Sequence, residues 1–369
     1  MAMTDMARLA QLALNKYIKK KVQPIFRRSY LMNEMKSRNK ISFNNGGNRM
    51  EWRPEKRRRD LTWGPGNPNT VTFPITNIHT TATLDWKTCF MGEAVREIEI
   101  LALKDRETAF FGKQEEIADR CTRDFITRFG PKLYADGVGT DVIDGLESWG
   151  GTDGAITDEP VAEPSDTYGG LSTVRGAEGD WDAPSDGDWP RCGTSPESCD
   201  YEYHYWSPLI VDYNDSDLVV DSDNESAGWD DCWVYACRYL TTYMNILQSE
   251  SPDAIILCPD LLRRARNSLK KDQQFQLSDK SKKLDAGIDV LTFEGTEFAT
   301  EFGVPPGIGY AVNFDHMELK CMGDQLVKTM NDTDIVTADK LYRFSWHGNL
   351  WIDTPAFFGF LKPTTTLST

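Results

Sequence analysis

Hydrophobic and polar positions change period several times along the chain, and each change marks an element. Residues 1–47 are basic and largely polar, with only a modest helical period at Leu9, Leu12 and Ala13. They have little to bury, so they read as an arm that is either disordered or ordered by a partner. After Gly46-Gly47 the period becomes two: Met50 and Trp52 alternate with Arg49, Glu51 and Arg53. A return limb carries Val71, Phe73, Ile75, Ile78, Ala82, Leu84 and Trp86. Residues 48–90 therefore predict a long β-hairpin, with Lys56-Arg57-Arg58-Arg59 and the turn-rich run Gly64 to Asn69 at its tip. A two-stranded hairpin is marginal alone in water, so this one should pack on something else.

Residues 93–129 predict a long helix. Phe110, Ile117, Cys121, Phe125 and Phe129 form an apolar stripe, and Lys104, Arg106, Glu115, Asp119 and Arg123 take the other faces. At ~1.5 Å per residue it would span on the order of 55 Å, with Gly130-Pro131 as its stop. Residues 138–232 are acidic and rich in Gly, Pro and Ser, and about 176–231 reads as an insertion with too little aliphatic content for a core. The remainder predicts a compact α+β unit. It comprises a helix over 232–247, a strand over 254–258, a basic helix over 260–271, strands over 290–293, 309–313 and 317–321, and a last long strand over 341–352. In that last strand Tyr342, Phe344 and Trp346 share one face. No internal repeat is visible.

Charge sharpens this division. The chain has 369 residues, a net charge of −16 and 40% hydrophobic residues, too apolar for general disorder. Residues 1–60 hold 16 Lys+Arg against 5 Asp+Glu, whereas 138–232 hold 2 against 24. Three uses compete with a plain solvated surface: the arm binds nucleic acid, the acidic stretch holds cations, or the arm of one copy meets the acidic face of the next. No apolar run approaches the roughly 18 residues of a membrane span, and the first 30 residues do not have the order of an export signal. Eight cysteines without a CxxC pair read as mostly reduced thiols; Cys192 and Cys199 close a short polar loop and are the pair able to bridge.

Candidate chemistry is sparse. The four histidines, His79, His204, His316 and His347, are scattered, and HExxH, Walker, GxGxxG and GxSxG motifs are absent. Gly303-Val304-Pro305-Pro306-Gly307-Ile308-Gly309 reads as a turn before a strand. The run containing Asp215, Asp217, Asp221 and Asp223 is the weak metal candidate: it has carboxylates but not the spacing of a calcium loop. Cys192, Cys199 and His204 match no common zinc spacing. No catalytic residue and no cofactor is expected.

The order of elements resembles the major capsid proteins of tailed double-stranded-DNA bacteriophages, which share the Hong Kong 97-type fold. Asn45-Gly46-Gly47-Asn48-Arg49-Met50-Glu51-Trp52 resembles the start of that family's extended loop. Glu93 to Tyr134 followed by Ala135-Asp136-Gly137 resembles its spine helix and exit. Thr167 to Ser172 with Trp181 resembles a recurrent segment of one branch. Ser251 to Pro259, Phe293-Glu294-Gly295 and Val304 to Gly307 resemble the axial (A) domain, and Phe344 to Pro355 the closing strand of the peripheral (P) domain. The likeness covers most of the chain except about 176–231.

The resemblance implies an α+β capsid fold divided into an N-terminal arm (1–47), an extended loop (48–90), a spine helix of the P domain (91–137), an A domain with the acidic insertion (138–330) and a return to the P domain (331–369). It implies a structural protein, not an enzyme, whose copies form the hexamers and pentamers of an icosahedral shell around packaged double-stranded DNA. The shell would be made in the bacterial host cytoplasm, with a portal at one vertex, non-specific DNA contact, no membrane, decoration proteins as further partners and, since the arm is short, a separate scaffold or none. Arg27, Arg28, Arg57, Arg58, Arg59 and Trp63 are the candidate intersubunit contacts. No cross-linking Lys/Asn pair maps onto the sequence. Two alternatives stay open: an encapsulin-like compartment shell, and a metal-dependent enzyme using the Asp-rich run.

Overall fold

The computed structural model describes residues 29–55, 79–96, 98, 107–137, 142–155, 160–174, 206–215, 218, 229–248, 250–268, 290–293, 295–333 and 340–363. In chain order the elements are α1 (Tyr30–Ser37), β1 (Ile41–Ser42), β2 (Met50–Trp52), β3 (Ala82–Leu84), β4 (Lys87–Val95), α2 (Glu107–Lys132), β5 (Thr152–Ala155), β6 (Val161–Pro164), β7 (Thr167–Tyr168), β8 (Leu171–Ser172) and β9 (Leu209–Asp212). There follow α3 (Trp229–Gln248), β10 (Ala254–Leu257), α4 (Pro259–Ser268), β11 (Val290–Phe293), β12 (Thr296–Thr300), β13 (Gly309–Val312), β14 (Met317–Cys321), β15 (Lys328–Thr333), β16 (Lys340–Ile352) and β17 (Gly359–Lys362).

Two sheets organise these elements. One has five strands, ordered β1-β14-β16-β15, with β4 also paired to β16. The other has eight, ordered β11-β12-β10-β13-β17-β9-β6-β5. In the C-terminal half the chain passes between them twice: from β13 to β14 through Asn313–His316, and from β16 to β17 through Asp353–Phe358.

The five-stranded sheet is built on β16, whose Tyr342, Phe344 and Trp346 are all buried, as their alternation predicts. Against them lies α2, with Ile117, Cys121, Phe125 and Phe129 buried at four-residue intervals. Phe129 meets Trp346 edge-on at 4.9 Å and stacks on Phe125 at 5.1 Å. Each such burial is worth about 1.5–3 kcal/mol, which holds a helix whose other faces are charged. In the eight-stranded sheet, β10, β13, β9 and β17 are buried at every position, the pattern of strands covered on both sides. On it, α3 and α4 are joined by the Trp229 indole N–H donating to the Leu261 carbonyl (2.9 Å) and the Trp233 indole donating to Ser268 Oγ (2.7 Å).

Four sequence expectations are corrected. Residues 93–95 are not the start of the helix but the end of β4, paired with Lys340–Tyr342. Gly130-Pro131 does not stop the helix. Leu133, Tyr134 and Ala135 continue with bonds to Gly130, Pro131 and Lys132, a tightened last turn that needs no N–H from Pro131. At ~1.5 Å per residue the 26 residues of α2 span about 39 Å. The arm is not wholly without burial: Ser29 caps α1, accepting from the Met32 N–H at 3.2 Å, and Tyr30, Leu31, Met32 and Met35 are buried. Lastly, Leu209–Asp212 lies within the stretch read as an insertion, yet β9 pairs with both β17 and β6 inside the larger sheet.

Candidate assembly interface

The hairpin has a foot fixed by its own chain. In β2 and β3, Met50 pairs with Leu84, Glu51 with Thr83 and Trp52 with Ala82, and a bridge joins Glu55 to His79. Met50, Ala82 and Leu84 are buried. Trp52 packs edge-on against Trp351 (5.9 Å) and beside Tyr168 (6.0 Å), and the Thr83 N–H donates to the Gly169 carbonyl at 2.9 Å. The expected burial partner for this part of the hairpin is thus the same polypeptide. Arg57, Arg58, Arg59 and Trp63 lie outside the described residues, as do Arg27 and Arg28. The chain leaves for them between Glu55 and His79, and before Ser29.

The anchoring of the N-terminal segment centres on Glu301. Its carboxylate accepts from the Leu31 N–H (3.1 Å) and the Tyr134 hydroxyl (2.8 Å), and the Tyr30 hydroxyl donates to Glu297 (2.9 Å). One buried carboxylate therefore joins α1, the end of α2 and the end of β12. Burial pushes Glu301 above the usual carboxylate range despite these donors.

One face of the five-stranded sheet carries α2. The opposite face presents Phe90, Met330 and Leu341, which are 52%, 47% and 37% exposed, while Ser345 beside them is buried. Arg343 lies over the Phe90 ring at 3.9 Å, and Phe90 meets His347 edge-on at 5.6 Å. The Thr88 hydroxyl is 3.1 Å from His347 Nδ1. Burial, with Lys328 and Arg343 nearby, lowers the His347 pKa. Among the described residues no carboxylate pairs with Arg343 or Lys328. This apolar and cationic face was not singled out from sequence; the signal was the second set of alternating positions in β16, Leu341, Arg343, Ser345 and His347. Phe302, 79% exposed beside Glu301, is a further uncovered apolar side chain.

The acidic stretch leaves and re-enters the fold at one place. The Ser207 hydroxyl donates to the Thr173 carbonyl (3.0 Å), and the Trp206 indole donates to the Leu171 carbonyl (3.4 Å). Residues 175–205, with Cys192, Cys199 and His204, lie outside the described residues, as do 216–217 and 219–228. Of the weak metal candidates, Asp217, Asp221 and Asp223 also lie outside. Asp215 sits in a turn after β9, its N–H donating to the Asp212 carbonyl and its own carbonyl accepting from the Leu218 N–H, both at 3.4 Å. Among the described residues no group of three or more His, Cys, Asp or Glu side chains is placed to hold a metal ion, and no helix is long and apolar enough to cross a membrane.

No family model and no curated protein matches the chain. Among solved structures it is similar to the chain of the cyanophage A-1(L) capsid asymmetric unit, at 13% identity and a TM-score of 0.54, covering 89% of this chain and 91% of that one. It is also similar to the capsid of an empty GTA particle, at 11% identity and a TM-score of 0.51, covering 89% of each chain. The chain has the Hong Kong 97-type capsid fold. Both likenesses take in about nine-tenths of each chain, more than either sheet alone could supply.

Proposed function

We propose that this chain is the structural subunit of an icosahedral head shell, assembled from many copies of itself around packaged double-stranded DNA. The single observation that carries the reading is the capsid fold over nine-tenths of the chain. The apolar and cationic face around Phe90 and Arg343 and the fixed hairpin foot at Met50–Trp52 are what such a subunit would offer to neighbours. The five-stranded sheet with α2 corresponds to a peripheral domain, and the eight-stranded sheet with α3 and α4 to an axial domain. Heterologous contacts between these parts close a shell when the rotation between copies closes.

In this reading the basic segments with Arg27, Arg28, Arg57, Arg58, Arg59 and Trp63 meet acidic surface on adjacent copies. Each contact need only be modest, since many act together. A portal at one vertex, non-specific DNA contact and assembly in a bacterial cytoplasm belong to the same proposal. Purified full-length protein examined by light scattering and negative-stain microscopy should give closed shells of uniform size. A monodisperse monomer under all salt and concentration conditions would overturn it.

A further inference from the structure

Both passages between the two sheets converge on His316, which ends the Asn313–His316 passage. Its Nε2 lies 3.1 Å from Glu250 Oε2, after α3, and its Nδ1 lies 3.6 Å from Asp353 Oδ2, on the second passage. The ring stacks flat on Phe357, also on that passage, with centroids 3.5 Å apart and planes 3° from parallel. The backbone closes the same joint: the Asp353 N–H donates to the His316 carbonyl at 3.0 Å. The joint also reaches the hairpin, because the Trp52 indole N–H donates to the Asp353 carbonyl at 2.9 Å.

The chemistry of this arrangement depends on one proton. A neutral imidazole has one N–H and one lone pair, so it cannot donate to two carboxylates; one oxygen would face a lone pair. The imidazolium can donate to Glu250 while its Nδ1–H faces Asp353 as an ion pair at 3.6 Å, and its charge sits on the Phe357 face. The surrounding charges come from every neighbouring segment. Glu250 accepts from Asn313 Nδ2 (2.6 Å); Asp315 pairs with Lys40 (3.3 Å); Asp253 pairs with Arg38 (2.8 Å), which lies over the Phe314 ring; Lys320 pairs with Glu318 (3.8 Å) and covers Trp351. Arg38 and Lys40 thus already have carboxylate partners; Lys320 also acts on Asp353, and among the described residues His316 is the cationic group in contact with both Glu250 and Asp353.

We infer that His316 is a proton-operated fastener between the two sheets: charged, it clamps both passages and the hairpin foot together; neutral, it releases them. Burial disfavours the charged ring, but Asp353 and Glu250 outweigh it and raise the pKa above the ordinary 6.5. The sign follows from linkage. A raised folded-state pKa adds stability that is fully present below the unfolded value and is lost as pH rises through the folded one. The joint is therefore tight in mild acid and loosens toward alkaline pH, so sheet orientation and hairpin foot respond to one group.

The inference rests on the fold alone and not on shell formation, so it is tested on unassembled full-length chain. With four histidines in the sequence, the imidazole signals can be followed by NMR and His316 assigned by loss of its signal in His316→Gln. Its midpoint should lie above 6.5, and Glu250→Gln should lower it. Hydrogen-exchange protection of 313–316, 353–358 and the foot at 50–52, corrected for the chemical rate, should fall severalfold across that midpoint. His316→Gln should show the low protection at all pH values; if that variant fails to fold, Glu250→Gln carries the test by moving the exchange midpoint with the NMR midpoint. A His316 midpoint at or below 6.5, or a protection profile that ignores it, would overturn the inference.

Discussion

The Trp52 indole N–H donates to the Asp353 carbonyl at 2.9 Å across 301 residues of sequence. A side chain at the foot of the hairpin thereby holds the segment that carries the chain from the smaller sheet to the larger. Trp52 also packs on Trp351 and Tyr168, so bond and ring contacts can be separated. Trp52→Phe keeps most of the contact and loses the bond, which should cost about 1 kcal/mol. Trp52→Ala should cost about 3 kcal/mol or more, the range of large aromatic truncations. Urea denaturation of both variants checks the order.

Glu301 gives a prediction with a pH sign. Its pKa is raised by burial, so the folded state holds a proton more readily than the unfolded one, and its contribution falls as pH rises from the ordinary carboxylate range toward the folded value. Glu301→Gln keeps an oxygen for Leu31 and Tyr134 but turns an amide NH2 toward the Ser29 and Tyr30 donors; with the charge gone, the acid-side pH dependence of stability should be flatter than the parent's. Glu301→Leu strands both donors and should cost about 2–5 kcal/mol. Chemical denaturation at several pH values distinguishes the two.

Gly303 has φ +113°, and a Cβ there would stand 2.6 Å from Pro131 Cα, a backbone atom that cannot turn aside. Gly303→Ala therefore combines left-handed strain with a clash between the loop after β12 and the end of α2. We expect a loss of more than about 2 kcal/mol, or insoluble protein. A melting temperature within a degree or two of the parent would contradict this packing.

Residues 175–205 should be removable. Their flanks already meet through Ser207 and Thr173, so a short Gly-Ser link can close the gap at little cost. A deletion carried on through Asp212 removes β9 from between β17 and β6 and should give no folded protein. Circular dichroism and soluble yield of the two deletions test the boundary.

Much of the fold is legible in local pattern. Met317–Cys321 appears where its alternation places it, and Tyr342, Phe344 and Trp346 are buried together. What the sequence hid depends on distant partners. Glu93–Val95 has helix-compatible residues, but Lys340–Tyr342 supplies its ladder. Leu209-Ile210-Val211 reads as a short strand in its acidic surroundings, but its place between β17 and β6 in the larger sheet depends on those distant partners. The short α1 has a cap and an apolar face, but the carboxylate that anchors it, Glu301, is 270 residues away from Leu31. Of the candidate contacts, none of the arginines nor Trp63 lies among the described residues, and the open face around Phe90 and Arg343 became visible only when β4, β15 and β16 were aligned.

Replacing Arg57, Arg58 and Arg59 together by Ala should leave subunit stability within about 0.5 kcal/mol, as for surface changes away from the core. Particle yield should fall, and raising salt should weaken assembly of the parent in the same direction. Unchanged particles from the triple variant would remove these residues from the interface.

The most direct test is a cryo-electron microscopy map of particles assembled from the full chain. The account predicts a closed shell in which residues 56–78 of each copy lie against a different copy. Particles in which that stretch folds back onto its own subunit, or a preparation that forms no shells, would contradict it.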